Sequence, residues 1–297
     1  MRAFVALLLC TPLTAHAAWP EDVTISGMTE HDGRSVVDVQ LLGAHYDVLI
    51  RELGTAIGVR SVLPPETLGV AGFEVSLDMV TAFPVNQPLD ENGDRLDPNA
   101  LTWDRAHVDE DAGPSVYQPG VTIRKGLPFS LEVGFSGRYI GASRQGVFSG
   151  FARAGLVEGF KPYPDVTLHL GYSGYVGNNE LEVGAFDIGV TLGSTFAVGP
   201  GEGARNARIT PYADFTLLSI TSAPTVDSAT ASAVGAKFFG RNLRNPDPVN
   251  ITSARPIVVP TFNGGVQVVI GKAMFRVTGG YGLRSVPHVS GSIGFTY

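Results

Sequence analysis

From residue 68 to the end of the chain, apolar and polar positions alternate with a period of two. In "GFEVSLDMVTAF", Phe73, Val75, Leu77 and Met79 alternate with Glu74, Ser76 and Asp78, the pattern of a strand with one apolar and one wet face. Similar alternation recurs over 129–140, 146–156, 166–176, 182–197, 209–220, 259–270, 273–283 and 289–297, so the pattern predicts strand after strand. The last of these ends on Ile293, Phe295 and Tyr297, spaced by Ser292, Gly294 and Thr296. A water-soluble domain seldom leaves such an apolar edge bare at a free terminus. Only residues 44–58 carry a clear period of 3.6. There Tyr46, Leu49, Ile50, Leu53, Ala56 and Ile57 form a stripe, Asp47, Arg51, Glu52 and Thr55 face away, and Gly58 is placed as a C-cap. Residues 18–43 show no strong period and predict an extended or partly disordered lead.

The segment "FNGGVQVVIGKAMFRVTGGYGL" permits an internal test of the strand reading. A two-residue turn at Gly271-Lys272 sets Ile270 opposite Ala273 and thereby fixes the register. Counting outward pairs Val268 with Phe275, Val266 with Val277 and Phe262 with Tyr281 on one face. The other face pairs Val269 with Met274, Gln267 with Arg276, and Asn263 with Gly280. One face is apolar and the other largely polar on both strands. The aromatic pair lies about 20 Å above the turn for a tilted strand, near the height of the apolar band of a membrane barrel, and aromatic rings suit the boundary of such a band. On this reading Phe262, Val268, Phe275, Val277, Tyr281, Ile293 and Phe295 face lipid.

Composition narrows the classes further. The first residues, "MRAFVALLLCTPLTAHA", combine Arg2, an apolar run from Ala3 to Leu9 and an Ala15-His16-Ala17 cleavage site, the features of a secretory signal peptide over 1–17. Cys10 would leave with it, so the mature chain would have no thiol or disulfide chemistry. The formal charge of −7 becomes one unit more negative with the loss of Arg2, which argues against nucleic acid as a partner. No later apolar run is long enough for a spanning helix, whereas 37 glycines and only 16% charged residues suit short strands and tight turns.

A signal peptide, repeated dyad strands and a final Ile293-x-Phe295-x-Tyr297 together resemble the bacterial outer-membrane β-barrel proteins. The resemblance implies that Ile293, Phe295 and Tyr297 act as the assembly signal read by the barrel assembly machinery, and that the chain resides among outer-membrane lipid and lipopolysaccharide of a Gram-negative bacterium. It implies a location and not a cargo. The expected fold is all-β, an antiparallel up-and-down transmembrane barrel over 68–297, preceded by a periplasmic or plug segment over 18–67.

Such barrels have even strand numbers, and the pattern supplies nine. "YQPGVTIRK", 117–125, with a turn at 125–128, gives a tenth. Pro128 leaves open a single bent strand over 119–140, and with it totals of eight or twelve. With Tyr297 at the periplasmic margin, both of the longest connections, 84–116 and 222–256, fall outside. The second carries Lys237, Arg241, Arg244 and Arg255 and the first is acidic. The inner face receives Glu74, Asp78, Glu132, Arg138, His169, Asp187, Asp214, Gln267, Arg276 and His288. A ten-stranded lumen so lined would be nearly closed.

Candidate chemistry is sparse. Asp90, Asn92, Asp94 and Asp97 around Gly93 loosely resemble a calcium loop, but the glycine falls one place early and no bidentate Glu follows. An Asn-Gly turn with solvated carboxylates accounts for them. His288-x-Ser290 shares one face, as a base and a hydroxyl would, yet outer-membrane phospholipases and lipid A deacylases carry their pair toward lipid and follow it with Asn, where this chain has Gly291. Outer-membrane proteases of the omptin type use acidic pairs and a rim His, whereas His107 in "RAHVDED" has no matching pair. The expected function is a narrow or gated small-molecule conduit or a surface-loop binding scaffold, with a lipid or peptide hydrolase as the alternative. No cofactor or metal is expected.

Overall fold

The computed structural model describes residues 22–297, apart from 32–33, 36–37, 61, 91, 98–100, 108–112, 142, 160–162, 199–206, 241–251 and 285. The proposed signal peptide with Cys10, and Arg241 and Arg244, lie outside the described residues.

Ten strands form a closed antiparallel barrel: β1 Phe73–Ala82, β2 Val116–Leu127, β3 Leu131–Tyr139, β4 Gly146–Val157, β5 Asp165–Val176, β6 Leu181–Gly193, β7 Ala207–Pro224, β8 Ile257–Ile270, β9 Ala273–Gly282 and β10 Pro287–Thr296. Each pairs with its sequence neighbour, and β10 closes on β1 with Ile293 opposite Leu77 and Phe295 opposite Val75. The eight- and twelve-strand alternatives therefore fall away. Residues 128–130 form a tight turn in which Phe129 and Ser130 take left-handed φ of 64° and 53°, so β2 and β3 are separate strands and Phe129 is not a strand residue. The predicted strand over 182–197 stops at Gly193, and Phe196–Val198 is a separate short strand beside β7.

The β8–β9 hairpin has the register read from its turn, from Ile270 opposite Ala273 out to Phe262 opposite Tyr281, with Gly271 at φ 64°. Outward side chains are apolar and exposed: Phe262, Phe275, Val277, Tyr281, Ile293 and Phe295 among them, with Val268 half-buried. Tyr117, Tyr139 and Tyr281 mark one margin of this band and Tyr163 and Tyr297 the other. The long connections 83–115 and 225–256 leave the barrel at one end, here the loop face; Tyr297 and the Gly271-Lys272 turn mark the opposite, turn face.

The helix begins five residues earlier than its stripe suggests. α1 spans Val39–Gly58, and the Asp38 carboxylate caps it by accepting from Gln40 N at 2.9 Å and Leu41 N at 3.2 Å. The lead before it is not simply extended: Ser26–Thr29 form a 3-10 turn, and Glu30–His31 pairs with Arg34–Ser35. Leu42, Tyr46, Leu49, Ile50, Leu53 and Ile57 are fully buried, each aliphatic one stabilising the seat by roughly 1.5–3 kcal/mol. Glu52 and Thr55, predicted to face away, are buried as well. Helix surroundings on all sides explain this: the lower half of α1 packs on inward residues of β6 and β7, while Glu52 accepts hydrogen bonds of 2.8–2.9 Å from Val85 N, Asn86 N and the Asn86 amide. Gly58 lacks a left-handed φ; it is small because a Cβ there would press on Leu218 and Ala185.

A side chain at Gly54 would lie 2.2 Å from Ile220 Cγ2, and the branched Ile220 has little rotamer freedom with which to yield. Gly54→Leu is therefore expected to weaken the helix seat by about 1–3 kcal/mol. Amide exchange should speed up over 39–58 while β8 and β9 keep their protection.

Candidate functional site

The lumen is occupied by the chain itself. After Gly58 the backbone runs along the barrel axis toward the turn face, and inward side chains bond it at each level. Arg138 donates to the carbonyls of Ile57 at 2.6 Å and Val59 at 2.5 Å, and Gln118 donates to that of Ala56 at 3.0 Å. These donors satisfy carbonyls that a helix C-terminus otherwise leaves open, and the Arg138 cation complements the negative end of the helix dipole. Below, Arg60 pairs with Asp187 and lies 4.8 Å from the Phe151 ring centre. Tyr212 OH donates to Val62 O at 2.9 Å, Arg153 to Pro64 O, and Thr167 to Pro65 O. At the turn face Thr67 N donates to Glu158 at 2.9 Å and Leu68 N to Glu132 at 3.2 Å.

Around this thread lies a charged network. Arg124 bridges Glu74 and Glu132; Arg153 reaches Glu132 at 3.0 Å; Arg276 reaches Glu74 at 3.0 Å and Gln267 at 2.9 Å. Higher up, Asp214 accepts from Thr191, Thr216 and Asn263 at 2.8–2.9 Å and stands 3.6 Å from His169. Asp78 accepts from Ser76 at 3.1 Å. Five arginines, at 60, 124, 138, 153 and 276, thus face five carboxylates, at 74, 78, 132, 187 and 214. Burying these charges carries a desolvation cost that ion pairs, and hydrogen bonds to carbonyls, hydroxyls and amides, together offset. A cavity of about 60 Å³ lies between Arg60, Arg153, His169, Asp187, Asp214 and Arg276, room for a few waters, and a larger hollow of about 940 Å³ opens at the turn face beside Glu66, Glu158, Asp165 and Thr195.

Of the ten residues assigned to the inner face, Glu74, Asp78, Glu132, Arg138, Asp187, Asp214, Gln267, Arg276 and His288 are buried and His169 is half-buried, and the network joins Glu74, Glu132, Gln267 and Arg276. Arg124 and Arg153 were legible in the same alternation, each standing next to outward-facing neighbours. Arg60 was not, because no periodicity covers a thread.

The chemistry candidates separate. His288 Nε2 bonds Asn263 Oδ1 at 2.7 Å; among the described residues no hydrogen bond joins His288 to Ser290. Asp90 is spent on its own turn, accepting from Asn92 N and Asp94 N at 2.8 Å, and buried Asp97 pairs with Arg105. Of the three carboxylates expected to be solvated around Gly93, Asp97 is thus the exception, buried and paired in the cap. His107 is buried in the loop-face cap, its Nδ1 donating to Trp103 O at 2.6 Å. Among the described residues no His, Cys, Asp and Glu cluster is placed to hold a metal.

The class that the fold defines is a closed, antiparallel, ten-stranded β-barrel with an apolar outer band and a lumen occupied by its own chain. The chain is similar to the N-terminal β-barrel domain of Pseudomonas aeruginosa OprF, with 11% identity over 77% of this chain and 99% of that one and a TM-score of 0.27. It is also similar to Yersinia pestis Ail in complex with a heparin analogue, with 9% identity, 77% and 99% coverage and a TM-score of 0.24. For Acinetobacter baumannii Omp33 the values are 9%, 76%, 98% and 0.27. No protein-family model matches the sequence, and no curated protein does.

Two outcomes follow from the charges. Glu74→Ala leaves Arg124 and Arg276 short of a partner and is expected to destabilise the detergent-solubilised barrel by about 3–5 kcal/mol, read as a lowered midpoint on heating. Outside the barrel wall, burial pushes His107 down to about 4 from its ordinary 6.5, so the folded cap holds it neutral. Its contribution is complete above pH 6.5 and is lost as pH falls toward 4, at up to about 1.4 kcal/mol per unit. In a Trp19→Phe background, Trp103 fluorescence should show an acid transition in that window, and His107→Gln should remove it.

Proposed function

We propose that this chain is an outer-membrane barrel of a Gram-negative bacterium, plugged by its own residues 39–67, and that it acts as a binding scaffold through its loop face. The observation that carries the reading is the occupied lumen: α1 and the thread after it are bonded to inward side chains of five strands, and the arginine–carboxylate network surrounds them. The apolar outward face, which includes Phe262, Val268, Phe275, Val277, Tyr281 and Ile293, would contact lipid. Ile293, Phe295 and Tyr297 would serve as the assembly signal for the barrel assembly machinery, and lipopolysaccharide would surround the loop-side margin.

The scaffold reading rests on where ordered surface is invested. The connection 83–115 holds α2, Thr102–Arg105, and 225–256 holds α3, Ser228–Ala233; both pack over α1, with Trp103, Ala106, Val234, Ala236 and Phe239 buried there. Long surface connections carried by a rigid scaffold are a usual seat of recognition. A gated conduit for small molecules is the second reading, favoured by the polar wall that would remain if the thread withdrew.

Planar-bilayer recording separates the two. The purified protein is expected to give no conductance steps; steady or ligand-triggered steps would install the conduit in place of the scaffold.

A further inference from the structure

The direction of the thread has a topological result. An even number of strands returns the chain to the face from which β1 starts, and Phe73 N and O both bond Tyr297 there at 2.8–2.9 Å. Residues 59–67 cross the lumen once more, and α1 continues to the loop face, where Tyr46 OH donates to Lys237 O and His45 bonds Thr102. Residues 22–29, before α1, therefore stand at the opposite end of the barrel from Tyr297.

They are fastened there. Glu180, in the β5–β6 turn, accepts four hydrogen bonds of 2.6–2.9 Å from Thr24 Oγ1, Ile25 N, Ser26 N and Ser26 Oγ. Asp22 accepts from Arg144 N at 3.0 Å, Asn178 donates to Val23 O at 2.7 Å, and Thr24 N donates to Ala106 O at 2.8 Å. Ile25 and Met28 are fully buried beneath this strap. Three separate connections of the loop face thus hold one short segment.

We propose that residues 22–29 reach the cell exterior through the lumen of their own barrel and are latched there by Glu180, so that the strap is a permanent part of the outer recognition surface. The exterior assignment rests on the orientation in the function proposed above; the crossing itself does not.

Single cysteines test it, since Cys10 is the sole cysteine of the full sequence and lies within the proposed signal. Gln40→Cys at the exposed start of α1, Ala229→Cys on α3 and Lys272→Cys in the turn-face hairpin are treated in intact cells with a membrane-impermeant maleimide, before and after outer-membrane permeabilisation. The expected result is labelling of the first two in intact cells and of Lys272→Cys only after permeabilisation. Gln40→Cys grouping with Lys272→Cys would overturn the crossing. Gln40→Cys and Ala229→Cys together protected, with Lys272→Cys labelled, would overturn the orientation and leave the crossing intact. For the latch, buried Ile25→Cys should resist labelling alone and gain it at least tenfold faster with Glu180→Ala; an unchanged rate would remove Glu180 from that role.

Discussion

The hydrogen bonds between β10 and β1 are the constraint on which the rest depends. A sheet with an apolar outward face and open edges would expose a row of unpaired amides and carbonyls. Once Phe295 is set opposite Val75 and Ile293 opposite Leu77, no edge is left, and the alternation of every strand sorts into an outside and an inside. A slip of β1 by one residue would turn Glu74 and Asp78 outward and leave Arg124 and Arg276 short of a partner. Closure therefore fixes which charges must find partners within a narrow lumen.

The lumen answers that demand with chain as well as side chains. Arg138 and Gln118 bond carbonyls at the helix end, Arg153 and Thr167 bond those of Pro64 and Pro65, and Arg60 returns a cation to Asp187. Proline suits the thread because its missing N–H needs no partner in a space where wall groups mostly donate. Packing and electrostatics here are one problem. The upper lumen, beside Leu218 and Ile220, takes an apolar helix; the lower lumen, beside Glu74 and Glu132, takes extended backbone.

The barrel was legible because period-two alternation is a local signal that closure preserves, and the Gly271-Lys272 turn anchored its phase. Glu74, Glu132, Gln267 and Arg276 could be assigned inward by that phase alone. What escaped has physical reasons. Phe129 looked like a strand residue because its apolar side chain fits the alternation, while its left-handed φ leaves no mark in the sequence. Glu52 looked solvated because a carboxylate on an amphipathic helix usually is; its partners, the Val85 and Asn86 amides, come from a connection that no helical pattern anticipates. Arg60 and the strap over 22–29 belong to segments with no period at all, whose placement depends on hydrogen-bond partners contributed by other strands and by three connections.

The thread also limits how the folded chain can come apart. A segment enclosed by an uninterrupted ring of strands is a lasso, with the plug helix and its cap too bulky to slide through a gap of a few waters. Once α1 and its cap are folded, residues 59–67 can leave the ring only if the helix unfolds or the β10 to β1 seam opens, so the plug and the wall hold each other closed.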